Sequence, residues 1–82
     1  MNSMPVWYVE KDGNLIDIIQ LEEPDSWSYR QEAKNYPDCV VWAYNKLGWC
    51  SMPANNIRSA IWRPSKAPDS IKLAYMIGEA HE

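Results

Sequence analysis

Phenylalanine is absent from this chain of 82 residues, and glycine, cysteine and histidine number only three, two and one. Each scarcity narrows the chemistry. Three glycines leave little backbone for cradling a phosphate, and no GxGxxG, P-loop, HExxH or GxSxG pattern occurs. Cys39 and Cys50 stand eleven residues apart without a second pair, and His81 is the sole histidine, so the metal-ligand set is incomplete. A Cys–His nucleophile pair would rely on His81, the penultimate residue printed, where chain ends fray. The expectation is a protein that is not an enzyme and holds no cofactor or metal. Long apolar runs are missing too. The longest is the six-residue stretch 39–44, and Leu15-Ile16 and Ile18-Ile19 are shorter still, far from the roughly 18 to 20 residues of a membrane span. Met1-Asn2-Ser3-Met4-Pro5 shows no charged segment followed by an apolar one. A cytoplasmic location without membrane contact, with reduced cysteines, follows as the expectation.

What is present is ordinary globular stock: 46% hydrophobic and 23% charged residues, with a formal charge of −3. One small domain over residues 1–82 is expected. The ten rings are five Trp and five Tyr, so each carries a polar group that needs a partner or water.

Asp12-Gly13 is the first strong local signal, flanked by Val6-Trp7-Tyr8-Val9 and Leu15-Ile16-Asp17-Ile18-Ile19. The pair suits a two-residue type I′ turn, and the flanks read as a hairpin over residues 5–21. With Asp12 and Gly13 central, Val9 falls opposite Ile16 and Trp7 opposite Ile18. Both faces of the ribbon are apolar, which predicts helices over one side and partial exposure or pairing on the other.

Beyond Glu22-Glu23-Pro24-Asp25 the pattern turns helical. Asp25 or Ser26 can cap a helix from Trp27 that stops at Tyr36-Pro37. Val40, Ala43, Tyr44 and Leu47 then fall at i, i+3, i+4 and i+7, with Gly48 as a C-cap, although Cys-Val-Val-Trp is also strand-like. Ile57, Ala60 and Ile61 form another stripe, and Ile71, Ala74, Tyr75 and Gly78 a last one behind Pro68, with Leu73 and Ile77 beside it. The predicted fold class is α+β: an N-terminal two-stranded β-hairpin packed against three to four short α-helices over residues 25–80.

The segments 44–51, 55–61 and 68–78 carry Leu47-Gly48, two isoleucines four apart (Ile57 and Ile61) and Pro68. In this order they resemble a helix-turn-helix domain of the phage-repressor type. That resemblance implies a DNA-binding transcriptional regulator whose second motif helix enters the major groove of duplex DNA. Asn55, Asn56, Arg58 and Ser59 would then read base edges, and Arg63, Lys66 and Lys72 would sit on phosphates.

Charge is uneven along the chain. Residues 1–29 hold one basic and six acidic side chains, giving −5, and residues 30–82 hold seven and five, giving +2. Acidic charge beside large rings suits a protein partner with a basic surface, because it speeds encounter while Trp and Tyr anchor the contact. The favoured expectation is therefore a small acidic protein that acts through protein–protein interaction. An inhibitor or adaptor of the kind that phages and mobile elements encode is the nearest description, with a homodimer as a further option. The contact residues so assigned are Trp7, Tyr8, Asp17, Glu22, Glu23, Asp25 and Trp27. DNA binding is the alternative.

Overall fold

The computed structural model describes residues 6–22, 25–55 and 62–80. Strands β1 (Trp7–Lys11) and β2 (Asn14–Ile19) are followed by helix α1 (Ser26–Ala33). Strands β3 (Val40–Asn45), β4 (Gly48–Pro53) and β5 (Arg63–Pro64) come next, and then helix α2 (Asp69–Ala80). The strands form one antiparallel sheet in the order β2-β1-β3-β4-β5. Strand β1 lies between β2 and β3, which run parallel to each other, so the chain must cross over to get from one to the other. Parallel strands of one sheet need such a crossover, and α1 supplies it on one face of the sheet.

The hairpin forms at the predicted place. Asp12 and Gly13 have φ of +53° and +86°, the left-handed geometry that a type I′ turn requires, and Lys11 pairs with Asn14 across it. Its register differs from the expected one. A bulge between Val9 and Glu10 sets Glu10 opposite Leu15 and Val9 opposite Asp17, leaving Ile16 as the extra residue. Trp7 accordingly pairs with Ile19 rather than Ile18.

Both faces of the sheet are covered. Alternation along β1 and β3 sends Trp7, Val9 and Val41 to one side, where they pack with Ile19, Met52 and the α1 residues Tyr29 and Ala33. Tyr8 and Trp42 go to the other side, against Ala67 and Ile71 of α2 and its lead-in. Val9, Val41 and Ile71 are fully buried, and each such side chain contributes about 1.5–3 kcal/mol relative to exposure.

The helical content is the main correction. Among the described residues there are two helices and five strands, where three to four helices and two strands were expected. The predicted helix over 38–47 is β3 and its turn. Val40, Trp42 and Tyr44 alternate with Val41 and Ala43, and a strand apolar on both faces produces a nearly continuous apolar run. Such a run also satisfies a helical template. Gly48, expected to cap a helix, instead has φ of +91° at the end of the β3–β4 turn, where Asn45 Oδ1 accepts the Leu47 N–H at 2.8 Å. The first helix of the helix-turn-helix resemblance is therefore a strand. Its second helix, with Ile57, Ala60 and Ile61, lies outside the described residues. The helices after Asp25 and Pro68 occur as α1 and α2, with α1 ending at Ala33.

Candidate functional site

The acidic end of the molecule is built around α1. Asp25 is its N-cap: the residue is extended, with φ −88° and ψ 119°, and its carboxylate accepts the Trp27 N–H at 3.0 Å. Tyr29 and Ala33, four residues apart, fill the core side of the helix. The Tyr29 hydroxyl accepts the Leu21 N–H at 2.9 Å and pins the β2–α1 connection. Trp27, two residues before Tyr29, faces away from that core and is 56% exposed. Glu22 and Asp25 are exposed in the same connection. Trp27 and the Asp25 carboxylate that caps its N–H stand at one end of α1, and Glu22 is exposed in the segment before it.

Asp17 belongs to the other end of α1. Its Oδ2 accepts a hydrogen bond from the Tyr36 hydroxyl, just past the helix, and its Oδ1 accepts the Ile18 N–H at 2.7 Å. The Tyr36 bond, followed by the Ile18 bond, holds the Asp17 carboxyl below the usual carboxylate range. The same carboxylate raises the Tyr36 phenol above its ordinary value. Asp17 and Asp25 thus share the α1 side of the sheet but are separated by the helix, about 12 Å long.

The other residues assigned to partner contact divide further. Trp7 and Tyr8 are buried, one in each core, with rings against Tyr29 and Trp62 and against Trp49. They build the sheet and do not line its surface. Glu23 lies outside the described residues, as do Asn56, Arg58 and Ser59 of the DNA-reading set. Asn55, Arg63 and Lys66 are exposed, on the turn after β4, on β5 and in the segment leading to α2. Lys72 is half-buried on α2.

Sequence reasoning missed a second surface. Ile71, Ala74 and Tyr75 turn α2 toward the sheet, while Leu73, Met76 and Ile77 fall on the opposite side of the helix and are exposed. Tyr75 packs on Tyr44 and Trp49, with ring centroids 4.9 and 5.3 Å apart. Tyr44 is itself half exposed, and Leu47 stands out from the adjoining β3–β4 turn. The signal was in the sequence: a helix apolar on both sides must be covered on both or leave one uncovered.

Among the described residues no group of three or more His, Cys, Asp and Glu is placed to hold a metal ion, and no helix is long and apolar enough to cross a membrane. No family model, curated protein or solved structure matches this chain.

Proposed function

We propose that this chain is a small non-enzymatic protein that acts by binding a protein partner with a basic surface, through Trp27 and the carboxylates of Glu22 and Asp25. The observation that carries the reading is the exposed indole of Trp27 in the first turn of α1, just after the segment where the chain's acidic charge concentrates. A Trp on a helix first turn loses little entropy when it fills a pocket, and the surrounding negative charge steers a basic partner toward it. The role fits an inhibitor or adaptor in the cytoplasm, where Cys39 and Cys50 stay free thiols, their state in the fold.

Affinity capture at low salt with the full chain, followed by titration of the captured protein, tests this. Trp27→Ala and Glu22→Lys should each weaken binding at least tenfold, about 1.4 kcal/mol. Asp25→Asn removes charge but keeps the helix cap, so it should weaken binding without lowering stability. If the folded Trp27 and Glu22 variants hold the partner as tightly as the native chain, the reading is wrong.

A further inference from the structure

Among the described strands β2 is the outermost on its side of the sheet. Residues 14–21 read Asn-Leu-Ile-Asp-Ile-Ile-Gln-Leu, five branched aliphatics with Asp17 as the single charge and no proline. Ile16 and Ile18 are 50% and 44% exposed. An edge strand of this composition is a template on which another strand can form.

The register fixes which of its backbone groups face outward. Asn45 and Gly48 flank the two-residue β3–β4 turn, so that pair exchanges both ladder bonds, and by alternation so do Ala43 with Cys50 and Val41 with Met52. The Ala54 N–H, which donates to the Cys39 carbonyl at 3.0 Å, continues the same alternation. Trp42 therefore turns its backbone groups toward β1 and bonds with Tyr8, its partner there. Tyr8 has none left for Ile18 on its other side, so the N–H and carbonyl of Ile18 point off the edge of the sheet.

That outward donor is occupied. Asp17 Oδ1 accepts the Ile18 N–H at 2.7 Å, and Asp17 Oδ2 accepts a hydrogen bond from the Tyr36 hydroxyl. The Tyr36 side chain packs against the core on the α1 side, so the carboxylate is anchored to the body of the fold. We propose that Asp17, held in place by Tyr36, guards this edge against pairing with a second copy of the chain. A second copy is the strand to which the guard is matched. Two β2 edges meeting antiparallel about a twofold axis at Ile18 would exchange the Ile18 N–H and carbonyl, and Asp17 already takes that donor. The same pairing makes the two Asp17 side chains diagonal neighbours on one face, about 7–8 Å apart and within the range of weakly screened repulsion. A basic strand would be drawn to the carboxylate, so the charge opposes a copy in particular. The bulge at Ile16 kinks the strand beside the guard and further spoils a regular ladder.

Sedimentation velocity on the full chain from roughly 1 to 300 µM reads this directly. Asp17→Ala frees the Ile18 N–H and removes the charge, and should associate at concentrations about tenfold or more below any at which the native chain does. Adding Ile18→Lys places two lysines together at the axis and should return the double variant to native behaviour. Tyr36→Phe keeps the carboxylate but releases it, and should associate at a concentration between those of the native chain and Asp17→Ala. Far-UV circular dichroism at dilute concentration should match the native spectrum in each, because Asp17 and Ile18 are exposed. A folded Asp17→Ala that associates no more readily than the native chain overturns the proposal, as does association that survives Ile18→Lys. A folded Tyr36→Phe that behaves as the native chain overturns the anchoring by Tyr36. Asp17 and Trp27 belong to opposite ends of α1, so failure here leaves the partner-binding reading standing, and the reverse also holds.

Discussion

Glu10 is the one buried charged side chain among the described residues, and its two oxygens are both used. Oε1 accepts the Trp42 indole N–H at 2.8 Å, and Oε2 accepts the Gly13 N–H at 3.0 Å. A single carboxylate thereby ties β1 to β3 and to the β1–β2 turn. No buried side-chain polar atom is left without a partner among the described residues, so the polar end of Trp42 is stabilised only as long as Glu10 is there. Removing an acceptor from a buried donor costs more than the bond itself contributes, because the donor then stays desolvated and unpaired. Glu10→Ala should therefore cost about 2–4 kcal/mol, read from the shift in urea midpoint. Glu10→Gln keeps one acceptor oxygen and should cost about half as much. Equal losses in the two variants would show that the side chain matters for its volume and not for its acceptors.

At the scale of elements, the segments governed by local chemistry were legible and those governed by tertiary pairing were not. Asp12-Gly13 specifies its turn through backbone conformation alone, and Asp25 and Pro68 mark the starts of α1 and α2 through capping and fixed φ. Strand β3 was read as a helix because its burial on two faces arises only once β1 and β4 pair beside it. The register error lies within the hairpin itself: the bulge at Ile16 adds one residue to β2, which a strict two-residue alternation does not reveal. For the candidate site, the acidic carboxylates and Trp27 could be found from charge and ring type. The burial of Trp7 and Tyr8 could not, since it depends on helices covering both faces. The Tyr36–Asp17 bond is another contact between distant segments, and it fastens edge strand β2 to the end of α1. Asp17 has a lowered pKa in the fold, so its contribution to stability is present above the ordinary carboxylate value and disappears as pH falls through the lower folded value. Tyr36→Phe should move the Asp17 titration midpoint up toward the ordinary value, which an NMR pH titration of its carboxyl resonance measures. An unchanged midpoint would mean that the two side chains do not meet in solution.

The whole molecule is one sheet with a separate core on each face, so its stability depends on whether the two cores melt together. Trp7 and Trp62 report on the α1 side, and Trp42 and Trp49 on the α2 side. Strands β1 and β3 contribute to both cores through alternate side chains, so neither core survives loss of the sheet. The covering layers differ, however: α1 is held between two strands in sequence, whereas α2 follows β5 and is anchored by Ile71, Ala67 and the Ser70–Gly13 bond. Ile71 is fully buried, and Ile71→Ala should cost about 2–5 kcal/mol through lost contact and the cavity left behind. At roughly 0.05–0.15 kcal/mol per residue a chain of 82 residues is stabilised by about 4–12 kcal/mol, so the loss takes a large share of the margin. The decisive reading is the shape of its unfolding. If the sheet couples the two faces, far-UV circular dichroism and tryptophan fluorescence should give coincident transitions, both shifted to lower denaturant with an unchanged slope. If α2 instead peels away on its own, the probes separate and the slope falls, and α2 is then a detachable cover over Tyr8 and Trp42 whose loss leaves the α1 core standing.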